Sequence, residues 1–234
     1  VILDLHNYCR RFMNNEHTLI GNNGLTIEDL ASFWQAIAKE FSTFKNIYGY
    51  GLMNEPHDLA PETKWFDMAQ ASINAIREVD TNTLIMVGGN DWSSAERWIE
   101  QSDTLKFLKD PANNLAFEAH VYFDKDASGT YKYSYEEEEC YPEKGIDRVK
   151  PFVEWIKQNK FHGFIGEYGI PDNDPRWNET LDLFLGYLQE NGINGTYWAA
   201  GPWWDTYFMA ITPKDGKDRP QMPIIEKYTS TLKK

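Results

Sequence analysis

The sequence predicts an α/β protein built on a parallel sheet covered on both faces. Three observations lead there. Short, near-continuous apolar strands alternate with amphipathic helical segments along the chain. Each strand ends in acids, amides, imidazoles or aromatics. The 234 residues contain no internal repeat, low-complexity stretch or linker that would divide them, so residues 1–234 are expected to form a single domain. Six strands do not close a (β/α)₈ barrel, and a doubly wound open sheet stands as the alternative. The Gly-rich phosphate-binding turn of many such sheets is missing, and Gly88-Gly89-Asn90 is too weak a motif to replace it.

Strands are expected at 1–8 (VILDLHNY), 47–55 (IYGYGLMNE), 83–89 (TLIMVGG), 115–122 (LAFEAHVY), 161–169 (FHGFIGEYG) and 195–201 (GTYWAAG). Between them, Thr26 can cap a helix whose stripe is Leu30, Phe33, Trp34, Ile37 and Phe41. A second helix follows Pro61, which suits its first turn, and points Trp65, Ala69, Ile73 and Ile76 inward. Further helices are expected near 93–101, 145–159, 177–191 (stopped by Gly192) and 223–233. Glu136–Glu139 reads as a solvated loop.

Composition excludes some partners. Thirty-six acids against 23 bases give a formal charge of −13, which argues against nucleic acid and is compatible with a neutral substrate. No apolar run approaches the ~20 residues of a membrane span. No signal peptide is visible; Val1 opens inside an apolar run without an initiator Met, so processing or a cloning boundary is expected upstream. Cys9 and Cys140 match no metal or redox motif, and a disulfide between them stays open. Nine tryptophans, 13 tyrosines and 13 phenylalanines suit either a large aromatic core or sugar stacking.

The strand ends carry the chemistry: His6-Asn7, Asn54-Glu55, Asn90-Asp91-Trp92, His120-Val121-Tyr122, Glu167-Tyr168 and Trp198. In parallel barrels the C-terminal strand ends form one rim, where active sites lie. Glu55 and Glu167, 112 residues apart, are the candidate catalytic pair. Glycosidic cleavage needs one carboxyl that hands over a proton and one that is ionised, in surroundings that make them titrate apart.

LMNEPHD with IGEYG resembles the two signature stretches of glycoside hydrolase family 5, the retaining cellulase-type enzymes of the (β/α)₈ clan. LDLHNY, GNDWSSA, AHVYFDKDASGTY and YWAAGPWW follow in the family's order, so the likeness covers nearly the whole chain. It implies a (β/α)₈ TIM barrel of which this chain covers about strands 3 to 8. It implies Glu55 as acid/base and Glu167 as nucleophile, ~5–5.5 Å apart as retention requires. Asn54 would bond the sugar 2-OH, Tyr122 would orient Glu167 beside His120, His6 would line the site, and Trp198 would lie under the sugar at the cleavage point.

The same likeness implies a secreted endo-β-1,4-glucanase acting on β-glucan polysaccharide or oligosaccharide, with β-mannanase or xylanase as the close alternative. The family's first two βα units, with an arginine that helps hold the nucleophile ionised, have no counterpart here. The expectation is therefore a fragment of a longer protein, or one needing a complementary N-terminal piece, and weak or absent activity if it stands alone. Trp92, Trp203 and Trp204 are open between sugar subsite and packing, and His57 between substrate contact and loop packing. Asp4, Asp91 and Glu118 are candidate buried supports, while His17 and His162 read as surface or strand-start residues. Asn178-Glu179-Thr180 is a glycosylation sequon, relevant in a eukaryotic secretory host.

Two other classes compete. A metal hydrolase could draw on His6, His57, His120, Glu55 and Glu167, but no short-spaced His pair occurs and Asn-Glu-Pro has no metal rationale. No metal or cofactor is therefore expected. A non-catalytic sugar-binding fragment would keep the tryptophans and lose turnover.

Overall fold

Strand β1 (Ile2–Asp4) is shorter than its apolar run. Tyr8 and Cys9 take positive φ (59° and 58°) and turn the chain away. It returns as an antiparallel hairpin, β2 (Arg10–Met13) and β3 (Glu16–Leu19), which the sequence reading did not anticipate. The signal was Asn14-Asn15: both adopt positive φ (52° and 65°), as the favoured two-residue hairpin turn requires. The computed structural model describes residues 1–229.

Helix α1 (Ile27–Phe41) begins with a capping box, in which the Thr26 hydroxyl accepts from Asp29 N–H and Asp29 accepts from Thr26 N–H. Its buried row is Leu30, Trp34 and Ala38. Phe33 is 40% exposed and Ile37 and Phe41 are half-buried, so the inward stripe is narrower than expected. An i, i+4, i+8 row suffices because Trp34 spans the interface and donates its indole N–H to the Leu52 carbonyl at 3.0 Å.

Strand β4 (Gly49–Gly51) leads to α2 (Trp65–Arg77), which buries the four residues expected and also Met68, Ser72 and Arg77. Pro61 lies in the preceding turn rather than in the helix, which starts after Lys64. Strand β5 (Leu84–Gly88) is followed by the single turn α3 (Asn90–Ser93) and by α4 (Trp98–Ser102). The helix expected at 93–101 is cut short because Asp91, Trp92 and Ser93 all adopt left-handed φ, between 53° and 57°. Strand β6 (Leu115–His120) completes a parallel ladder in the order β1-β4-β5-β6.

These elements form one compact unit, Val1–Ala119 with Trp155–Gly163. Its core is aromatic: Trp34, Trp65, Trp98, Tyr50 and Phe117 are fully buried, and Trp155 meets Phe117 edge-on at 5.0 Å. A buried pair pins the end of α2 to the neighbouring loop. Arg77 binds Asp110 through two parallel bonds of 2.7 and 3.0 Å and also donates to the Asp80 and Thr83 carbonyls.

The second unit is His120–Glu154 with the described residues from Phe164 onward. Helix α5 (Lys144–Asn159) starts in it. Strand β7 (His162–Tyr168), α6 (Arg176–Glu190), β8 (Asn194–Tyr197) and α7 (Met222–Tyr228) follow. β7 and β8 pair in parallel, around a core of Phe123, Phe152, Ile165, Trp177, Leu181 and Phe184. The end expected for the last helix falls beyond the described residues. The acidic run is not wholly solvated. Glu138 is buried and accepts the Lys125 and Tyr133 N–H groups, while Glu136, Glu137 and Glu139 are exposed and Glu137 accepts from the Ser134 N–H and hydroxyl. Both cysteines are free thiols. Burial pushes Cys9 up to about 12. The sequon lies in α6, where the Thr180 hydroxyl is buried against Tyr135 at 3.0 Å.

Burial pushes the Asp110 carboxyl up, but the bonds from Arg77 and from the Asn114 and Ala112 amides outweigh it and hold the group below the ordinary carboxylate value. Its contribution is therefore complete above the unfolded value of about 3.9 and is lost as pH falls through the folded one. Asp110→Ala, which leaves Arg77 buried and unpaired, should cost about 3–5 kcal/mol in urea unfolding at pH 7. The gap to wild type should narrow as the pH is taken below about 4.

Candidate active site

In the first unit the ladder continues past β4. Leu52 N–H donates to Met86 and Asn54 N–H to the Leu5 carbonyl, both at 3.0 Å, which fixes the buried Asn54 at the strand end. The next residue, Glu55, sits at φ 46°. A non-glycine residue in this region is strained by about 1–3 kcal/mol and persists only where its surroundings over-determine it. Here Pro56 fixes the exit, and His57 Nδ1 lies 2.8 Å from the Glu55 carbonyl. The His57 ring in turn stacks on Trp92, with centroids 4.4 Å apart and planes 14° from parallel. His57 thus packs the loop and carries Trp92, which is partly exposed.

His6 follows β1. Its Nδ1 lies 3.2 Å from Asp4 Oδ2, and its Nε2 lies 3.1 Å from the Tyr8 hydroxyl and 3.3 Å from Asn54 Nδ2. Asp4 supports His6 but is exposed, and Asp91 and Glu118 are half-buried, so none of the three is the buried support expected. β1 has a neighbour on one side within this unit, which leaves Asp4 open to water. Asp91 forms an ion pair with Arg97, and Asn90 binds Ser102 and the Gln101 carbonyl. Gly89 is required by space: a Cβ there would lie 2.5 Å from the Trp98 ring.

In the second unit Glu167, 8% exposed, stands near the end of β7. Tyr122 donates its hydroxyl to Glu167 Oε2 at 2.8 Å, His120 Nδ1 lies 3.5 Å from the same oxygen, and Val121 N–H binds the Glu167 carbonyl. Three of the anticipated residues thus meet. The FDKDASGTY stretch explains how Tyr122 is held. The buried Asp124 carboxylate accepts from the Ser128 hydroxyl and from the Gly129, Thr130 and Tyr131 amides. It folds the loop so that Gly129, at φ 72°, lies flat on the Tyr122 ring, where a Cβ would come within 3.0 Å. Tyr131 accepts from Phe123 N–H and donates to the Gly169 carbonyl, and Arg148 donates to the Tyr122 and Lys125 carbonyls.

Asp124, Tyr131 and Arg148 were not singled out from sequence. An aspartate followed at four to six residues by Ser-Gly-Thr was the available sign of a side-chain-organised loop. Trp198 follows β8, its N–H bound to the Tyr168 carbonyl and its ring edge-on to Trp204 at 5.0 Å. Tyr207 packs on Trp204 and was also missed. Burial pushes its phenol up, a hydrogen bond with Trp198 opposes the rise, and the charges of Glu167 and Asp124 add to it. Trp203 is 82% exposed, while Trp204 is half-buried in packing. His17 meets Phe12 edge-on at the surface, and His162 opens β7 exposed.

Parallel strands thus end in a buried Asn beside a Glu in left-handed backbone, and in a Glu held by Tyr and His. The model of the cellulase family, glycosyl hydrolase family 5, matches residues 1–203. Endo-beta-1,4-glucanase B of Emericella nidulans is 36% identical over 193 residues, covering 80% of this chain and 56% of its own length. A probable endo-beta-1,4-glucanase B of Aspergillus kawachii is 34% identical, covering 97% of this chain and 65% of its own. Among solved structures, Pseudomonas stutzeri endoglucanase Cel5A in complex with cellobiose matches at a TM-score of 0.89 and 42% identity, covering 98% of this chain and 68% of that one. The chain belongs to glycosyl hydrolase family 5. Its fold is that of a (β/α)₈ barrel, of which it carries about strands three to eight. It spans 56–65% of the length of these two curated relatives.

A hydrogen bond to the ionised form of a carboxyl favours that form. Tyr122→Phe should therefore raise the Glu167 titration midpoint, read by carboxyl ¹³C NMR. An unchanged midpoint would mean that Tyr122 does not hold the carboxylate.

Proposed function

We propose that residues 1–234 act as a single catalytic domain that cleaves internal β-1,4-glucosidic bonds with retention. Glu167 attacks the anomeric carbon and the C1–O bond to the leaving sugar breaks, while Glu55 gives its proton to the departing oxygen. Water then attacks C1, Glu55 takes its proton, and the bond to Glu167 breaks. Asn54 bonds the sugar 2-OH, and His6 lines the same subsite. His120 and Tyr122 orient Glu167. Trp198 lies under the sugar at the cleavage point, and Trp92 and the exposed Trp203 offer stacking faces to neighbouring sugars.

The observation that supports this reading most is the Tyr122 hydroxyl on Glu167 at 2.8 Å, beside His120. It gives one carboxylate the support a nucleophile needs. The strain at Glu55 sets the other apart. The named activity of the relatives, and the cellobiose and cellopentaose complexes of similar endoglucanases, favour a β-glucan chain over mannan or xylan. A polymeric substrate of this kind places the proposed enzyme outside the cell, and no helix among the described residues is long and apolar enough to cross a membrane.

A complementary N-terminal piece of the same barrel is part of the proposal. The outer side of β8 borders a groove of about 900 Å³ lined by Leu185, Leu188, Ile193, Ile211, Ile225 and Tyr228, which suits an apolar strand–helix segment. The competing reading is a sugar-binding fragment without turnover.

Reducing-sugar release from carboxymethyl-cellulose, β-glucan, mannan and xylan distinguishes these readings, with anomeric NMR reporting retention. Glu167→Gln should abolish release, and Glu55→Gln should lower it by roughly 10²–10⁴-fold. Full activity in Glu167→Gln would refute the assignment. Tryptophan fluorescence quenching by cello-oligosaccharide without release would establish the binding fragment.

A further inference from the structure

The strand end of β1 holds a charge that the reaction itself does not use. The carboxylate of Asp4 can only accept hydrogen bonds. Its Oδ2 faces His6 Nδ1 at 3.2 Å. If Nδ1 carried a lone pair, two acceptors would confront each other, so Nδ1 carries the proton. The neutral ring then presents Nε2 as an acceptor, and both groups beside Nε2 can donate to it: the Tyr8 hydroxyl at 3.1 Å and Asn54 Nδ2 at 3.3 Å. An amide that donates one N–H to a fixed imidazole is no longer free to flip end for end. Its carbonyl oxygen and second N–H are left pointing in a single sense. Asn54 is buried, and its backbone is pinned to Leu5, so side-chain rotation was the remaining freedom.

We propose that Asp4 is a positioning residue: it fixes the Nδ1–H tautomer of His6, and through His6 sets which end of the Asn54 amide meets the sugar. The inference deepens the reading of Asn54 as the ligand of the 2-OH and rests on it. Asp4 acts two side chains away from substrate. Its effect belongs to the transition state, because the 2-OH contact strengthens there.

The test uses long-range ¹⁵N–¹H NMR of the histidine side chains in the intact chain at neutral pH, which reports the tautomer without requiring turnover. Wild-type His6 is expected with Nδ1 protonated and Nε2 bare. Asp4→Ala, with its fold checked by circular dichroism, should move it toward the Nε2–H form. A wild-type Nε2–H tautomer, or an Asp4→Ala spectrum identical to wild type, would overturn the proposal.

Kinetics on β-glucan then test the consequence. Asp4→Ala should lose about tenfold in kcat, the worth of one hydrogen bond, with KM nearly unchanged. Asp4→Ala should add nothing further in a His6→Ala background. Additive losses would overturn the coupling. If the chain has no turnover, the tautomer result still stands or falls by itself, which separates failure of this inference from failure of the proposed activity.

Discussion

A regular parallel strand alternates its side chains between two covered faces, so a polar group is brought to the strand end either by a chain that turns out of the ladder or by a loop that closes over it. In the first unit the chain leaves by left-handed residues that are not glycine: Tyr8 and Cys9 after β1, Glu55 after β4, and Asp91 to Ser93 after β5. Each departure is strained and persists only where its surroundings hold it. The Glu55 turn is held by Pro56 and His57, and the Trp92 turn by the ring it stacks on and by Trp92 N–H on the Pro56 carbonyl. The exits after β4 and β5 therefore hold each other. Disturbing one transmits to the other through the His57–Trp92 stack.

The second unit meets the same requirement differently. Glu167 remains within its strand, and the strain is moved to the loop after β6, where Asp124 gathers four donors. The carboxylate thereby inherits rigid partners without adopting an unusual backbone. The two glutamates differ in kind as a result. One is set on a tight, strained turn and the other is embedded in a ladder among aromatic hydroxyls.

The alternation of strands and helices was readable from sequence because buried parallel strands are apolar runs and helix faces follow a 3.6 period. The inward residues of α2 follow that period without exception. What the period does not encode is how much of a stripe a large side chain makes unnecessary. Trp34 fills the α1 interface and leaves Phe33 outside. Strand lengths were overestimated for a related reason: the apolar run continues into residues such as Leu52 and Met53 that are buried but lie beyond the regular ladder. At the site, residue types at strand ends were visible as chemistry. Their supports, Asp124, Arg148 and Tyr207, were not, because a loop aspartate or a helical arginine has no pattern that distinguishes solvation from a buried task. Glu138 makes the same point inside an acidic run.

The hairpin β2–β3 adds a last consequence. Arg10, at its base, donates to the Tyr8 and His57 carbonyls and so anchors it beside the exit that carries Glu55. Its tip, beyond Phe12 and His17, is exposed. Length and composition at the tip can drift over evolutionary time while the base stays clamped. The hairpin is thus a place where sequence and length can change at the tip while the exit that carries Glu55 keeps its anchor.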